Sequence, residues 1–208
     1  MNMKGKRVLM ALAGVVIVGI CVGLFRIAGF GVDPFTALCV GMANAFHTTY
    51  AIAFTVITAL MLLIALVADR SFVGISTALN LFGTGVIADG CVALLGNLAA
   101  FQTVLGRAAL LAVALVILCI GSSLYFTANL GVSGYDAMSL IAAKKHWGPF
   151  RVCRIVADIL CVAAGYLLGA VIGIGTVLTA LCMGPVIQWF NTHLSEPMLR
   201  EKARESAV

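Results

Sequence analysis

The apolar text of this chain is written twice, and that constrains its fold more than anything else. Gly31-Val32-Asp33-Pro34-Phe35 and Gly131-Val132-Ser133-Gly134-Tyr135 stand 100 positions apart. The register holds on both sides: Ile20, Leu24 and Ala28 meet Ile120, Leu124 and Ala128, while Ala37, Ala43, Val56 and Leu60 meet Ala137, Ala143, Val156 and Leu160. Further on, Gly74-Ile75-Ser76-Thr77-Ala78-Leu79 meets Gly173-Ile174-Gly175-Thr176-Val177-Leu178 at an offset of 99. A repeat of this length fixes architecture before any local reading does. In a membrane protein, two matching halves usually enclose something between them.

Lipid is the solvent this text requires. Of 208 residues, 62% are hydrophobic and 10% charged, against roughly 25% charged in a soluble domain. The mean hydropathy is +1.14, and a soluble fold of this size has no way to hide that much apolar surface. The net charge of +5 is not a nucleic-acid footprint, because the basic residues gather at the ends and in one internal loop, as cytoplasmic flanks do. Lys4-Gly5-Lys6-Arg7 before an apolar run imitates a signal peptide. The same segment recurs at Ala108 to Phe126, so it reads as part of the fold, and Cys21 follows Val18-Gly19-Ile20, a poor context for lipidation. The seven cysteines form no CxxC pair and lie in apolar segments, which points to packing rather than disulfides or zinc.

Each half divides into four apolar segments: residues 8–28, 34–46, 50–68 and 74–95, then 107–127, 134–143, 150–168 and 174–192. A span needs about 20 residues, so the second segment of each half is too short to cross. The predicted fold is an all-α polytopic membrane protein of two tandem repeats, with six full spans and two short re-entrant helices. The alternative is eight spans in parallel repeats. The positive-inside rule does not separate them, and both place the two termini in the cytoplasm. Labelling a cysteine at Gln102 does: access only from the cytoplasm excludes the inverted arrangement. The first repeat covers 1–100, the second 101–192, and 193–208 is a polar tail. Gly19 and Gly23, and Gly165, Gly169 and Gly173, supply the small-residue spacing that lets helices approach in lipid.

An ionisable group within a membrane segment costs about 2.5–3.5 kcal/mol at a helix centre, so each one is a functional candidate. Arg151, Arg154 and Asp158 lie three and four apart, on one face of a helix. If that helix starts near Phe150, Asp158 sits about 12 Å along it. Arg154 is placed to pair with Asp158. The matching first-half residues are Ala51, Phe54 and Thr58, so the scaffold does not need these charges. The competing readings are a buried anion- or proton-handling pair and an ion pair that only orients helices.

Asp33 before Pro34 has the form of an N-cap, and Ser133 to Asp136 that of a capping box. Helix starts at re-entrant breaks are also where transporters hold solutes. Thr77 and Thr176 close Gly-rich turns whose free N–H groups suit an anion, or which simply cap a helix. Asp89 faces Gln188 as an interface-facing polar pair. His47 and His146 lie at segment ends and read as solvated. No nucleophile–base pair, nucleotide loop or metal-ligand spacing occurs, so neither catalysis, cofactor nor metal is expected.

Leu130-Gly131-Val132-Ser133-Gly134-Tyr135-Asp136, then Arg151, Arg154 and Asp158, then Gly165-Tyr166-Leu167-Leu168-Gly169, Gly173 to Leu178 and Gly184-Pro185 resemble the YczE/YyaS/YitT-type bacterial integral membrane proteins. Gly29 to Phe35 is similar to that family's first-half signature. Phe35 stands where Trp is common and Asp158 where Glu is common. The resemblance implies a polytopic protein of the bacterial cytoplasmic membrane. The residues themselves point to a small-solute permease with its site between the repeats, and the arginine favours an anionic solute. The other readings are a substrate-binding subunit with a separate energising partner and a non-transporting accessory protein. The glycine faces also offer a route to a homo-oligomer.

Overall fold

The computed structural model describes residues 3–98 and 103–199, and for residue 182 the backbone alone. Gln102 and the tail from Arg200 onward lie outside the described residues. Among the described residues the chain is helical throughout: α1 (Met3–Ala28), α2 (Pro34–Ala45), α3 (Tyr50–Ala68), α4 (Ile75–Leu95), α5 (Val104–Ala128), α6 (Gly134–Lys144), α7 (Phe150–Leu167) and α8 (Ile174–Phe190). A single 3-10 turn, Arg70–Phe72, precedes α4.

Local chemistry sets the starts and stops. Asp33 caps α2, accepting from the Thr36 N–H at 3.1 Å, with Pro34 in the first helical position. Thr49, Thr103 and Ser133 cap α3, α5 and α6 through their hydroxyls. Each satisfies a backbone N–H that the helix cannot. Asn129 ends α5 in the left-handed region at φ +49, and Gly29 follows α1 at φ +70.

Four described helices, α1, α3, α4 and α5, are long and apolar enough to cross a bilayer, so the protein is a multi-pass membrane protein. The third and fourth segments of the second half depart from simple spans. α7 carries three charges in 18 residues. α8 and the turns after it bend by 54° around residue 182. Pro185 lies in the helix there and has no N–H for the carbonyl of Leu181, four residues back, which explains the break. α2 and α6, with 12 and 11 residues, reach only about 17 Å.

Packing links the halves throughout. α1 lies against α5 and α4, α2 chiefly against α7, and α6 against α3. Gly19 and Gly23 face Ile87 and Cys91 on α4, and Gly41 meets the backbone at Gly165. The second glycine series does not continue as a ridge, because α7 ends at Leu167 and Gly169 has nothing within 4 Å of its side-chain position. One apolar core gathers around Phe25, Leu111, Ala114 and Leu118; a second gathers Phe35, Tyr50, Phe54, Tyr135 and Cys161.

The two matching loops each reach into the opposite half. The carbonyl of Leu130 accepts from Ser76 N at 3.0 Å, and that of Phe30 accepts from Gly175 N at 2.8 Å. Gly131 is at φ +107, with its side-chain position 2.5 Å from Gly74 N; Gly31 is at φ +97, 2.6 Å from Gly173 N. Only glycine fits either place, by both conformation and space.

Candidate functional site

The second apolar core contains the charges. Arg154 extends from the second turn of α7 toward the start of α6. Its guanidinium bonds the Asp136 carboxylate through Nη1, and its Nε stands 3.6 Å from Asp158 Oδ1. The i,i+4 pairing with Asp158 is therefore the longer of two contacts. Asp136 reaches this position because Ser133 starts α6: the Ser133 hydroxyl accepts from Asp136 N at 3.1 Å and donates to Asp136 Oδ2 at 2.7 Å. Tyr135 donates its hydroxyl to Asp158 Oδ1. The arginine lies over the Tyr135 ring at 4.4 Å, a cation–π contact that orients its planar fork. Tyr135 in turn stacks on Phe35 of α2 at 4.9 Å and 16°. Asp33, the cap of α2, lies within electrostatic reach of Arg154 and Asp158. Both short helices thus begin at one cluster.

The remaining candidates fall elsewhere. Arg151 is exposed in the first turn of α7, and among the described residues no ion pair includes it; spacing put it on the Arg154 face, but it sits too near the helix end to join the cluster. Thr77 and Thr176 are buried, with their hydroxyls engaged: Thr77 Oγ1 accepts from Gly74 N at 3.1 Å and donates to the carbonyl of Val132 at 2.7 Å, and Thr176 Oγ1 accepts from Gly173 N at 3.4 Å. The loop carbonyls of Leu130 and Phe30 each take one N–H of these helix starts, Ser76 N and Gly175 N, so both turns serve as docking points between the halves. Asp89 does not turn to Gln188. Its two oxygens take Arg26 Nη1 at 2.6 Å and Ala51 N at 2.8 Å, and Gln188 is exposed on α8. His47 and His146 are exposed in left-handed turns after α2 and α6.

The Arg26–Asp89 pair forms a second polar centre. Arg26 also lies over the ring of Tyr50 at 4.7 Å, and the Tyr50 hydroxyl stands 3.4 Å from that of Thr36. A cleft of about 350 Å³ opens beside it, lined also by Asn44, Thr48 and Thr49. Sequence reasoning assigns no site role to Arg26, Tyr50, Phe35 or Tyr135, although Phe35 and Tyr135 occupy matching places one residue inside the two short helices.

The charges of the second centre tie α1, α3 and α4 together. Those of the first tie α6 and α7, with α2 against them. The arrangement can hold and release charged groups through ion-pair exchange, and it sets two hydroxyls, those of Ser133 and Tyr135, against carboxylates.

Residues 5–192 match the family described as "Family of unknown function (DUF6198)". An uncharacterized protein of Haemophilus influenzae is 30% identical over 177 residues, covering 84% of this chain and 78% of the relative. YyaS of Bacillus subtilis, also described as uncharacterized, is 23% identical over 194 residues, covering 92% and 95%. No solved structure matches the chain. The matched range spans both halves and includes the positions of the Arg154 cluster, and the chain therefore belongs to the DUF6198 family, with YyaS among its relatives.

Proposed function

We propose that this protein is a small-solute permease of the bacterial cytoplasmic membrane, with its site at the Arg154 cluster between two structural repeats. One observation carries this reading. The first half fills the matching positions with Phe54 and Thr58, both buried within its apolar packing at 4% and 1% exposure. The scaffold packs without charge there, yet the second half places Arg154 and Asp158 at the equivalent points and adds Asp136. A charged cluster in lipid that architecture does not require is best explained by a ligand or a moving ion.

In this reading α2 and α6 are re-entrant helices, and both termini are cytoplasmic. Their starts meet at the Phe35–Tyr135 stack. Transport proceeds by movement of one half against the other, since each short helix is packed on the opposite half. The test is a thermal-shift screen of small solutes on detergent-purified protein beside Arg154→Ala and Asp158→Asn. A compound that stabilises the wild type and neither folded variant supports the site. A wild type that responds to no solute, with variants that behave identically, favours an accessory role, and partner capture then follows.

A further inference from the structure

We infer that the occupant of the Arg154 cluster is a monovalent cation, either a coupling ion such as Na+ or the ammonium head of the solute. This rests on the permease reading of the same site and gives it a charge class.

The count of charges comes first. Arg154 is already answered by Asp136 and Asp158, so it no longer argues for an anionic solute. Asp33 adds a third carboxyl group within reach of both Arg154 and Asp158. Arg151 is exposed at the helix end and joins none of these ion pairs. Three carboxyl groups face one guanidinium in a setting of apolar packing. A further anion would meet more carboxyl oxygens than cationic groups, whereas those oxygens are acceptors for a cation.

The second observation is independent of that count. Tyr125 of α5 is 5% exposed, its hydroxyl has no hydrogen-bond partner, and it lies within electrostatic reach of Asp136. Ser139, 2% exposed, also has an unpartnered hydroxyl. It stands three residues beyond Asp136, on the same face of α6. Buried hydroxyls without partners are uncommon and are places where an ion or a water can sit; Thr58, Ser76 and Asn80, none of them in the Arg154 ion pairs, carry further such atoms. Neutral oxygens beside a carboxylate are the ligand set that hard cations and ammonium groups take.

The experiment uses the full chain in detergent at constant ionic strength. NaCl, KCl and methylammonium chloride each replace N-methylglucamine chloride stepwise, and the unfolding midpoint is recorded. A second series holds Na+ fixed and exchanges chloride for acetate or phosphate. Asp33→Asn keeps the N-cap, since Asn caps as well as Asp, and Tyr125→Phe keeps the ring. The expected result is a saturable rise with one small cation, with the half-saturating concentration raised about fivefold or more in either variant. A midpoint that follows the anion overturns the cation while leaving the permease site standing. A cation response unchanged in both variants overturns it as well, by placing the ion elsewhere. No response in either series removes the cation and, with a silent solute screen, the permease reading too.

Discussion

Replacing Asp158 by Asn removes one charge from α7 while keeping its shape and one acceptor for Tyr135. Ligand response is expected to be lost while the unfolding midpoint stays close to wild type; expression lost together with response would mark a purely structural pair. Arg154→Ala goes further, because it leaves Asp136 and Asp158 facing each other. The arginine side chain is 34% exposed, so solvent screening trims the loss to about 1–3 kcal/mol, read as a lower midpoint. The Arg154–Asp158 spacing was legible in the sequence because a helix converts four residues into one neighbour. Asp136, Asp33 and Tyr135 were each visible as helix-start residues, but their meeting was not. It depends on two short helices crossing onto opposite halves, and no local spacing encodes that crossing.

At the scale of elements, the boundaries were the easiest feature to read and the bend within the last one the hardest. The N-caps and the hydrophobic lengths placed all eight helices within a few residues, apart from the earlier start of α1 at Met3. α8, expected over 174–192, ends at Phe190 with Pro185 inside it, and what the apolar composition does not show is the 54° bend. The two Thr-closed turns look alike in sequence and differ in what they bind. Thr77 both accepts from Gly74 and donates to Val132 across the halves, whereas Thr176 makes the longer, 3.4 Å contact to Gly173. Thr77→Val is therefore expected to cost about 1–3 kcal/mol and Thr176→Val less, measured as paired thermal midpoints in one detergent.

Taken whole, the molecule is held by ties between its halves, and one lies outside the membrane-spanning helices. Lys144 at the end of α6 bonds Asp69, which follows α3 and also accepts from Ser71 N at 3.0 Å. The lysine holds the Asp69 carboxyl below the usual carboxylate range, helped by the bonds from Ser71. A carboxyl lowered on folding contributes stability above its unfolded pKa, about 3.9, and loses it as pH falls toward the folded value. Asp69→Asn is thus expected to lower the midpoint modestly at pH 7, with the gap to wild type closing below about pH 4. A gap constant with pH would mean that the ion pair contributes nothing.

The reciprocal reach of the two glycine loops bears on how the chain is made. Synthesis runs from the N-terminus, so the start of α4 waits for Leu130 to leave the ribosome, and the loop after α1 waits for Gly175. The Ser76 N–H at the start of α4 and the carbonyl of Phe30 thus have no partner until the second half is made. Insertion and folding are therefore separate events for the first 100 residues: they enter the bilayer early and finish only when nearly the entire protein has followed.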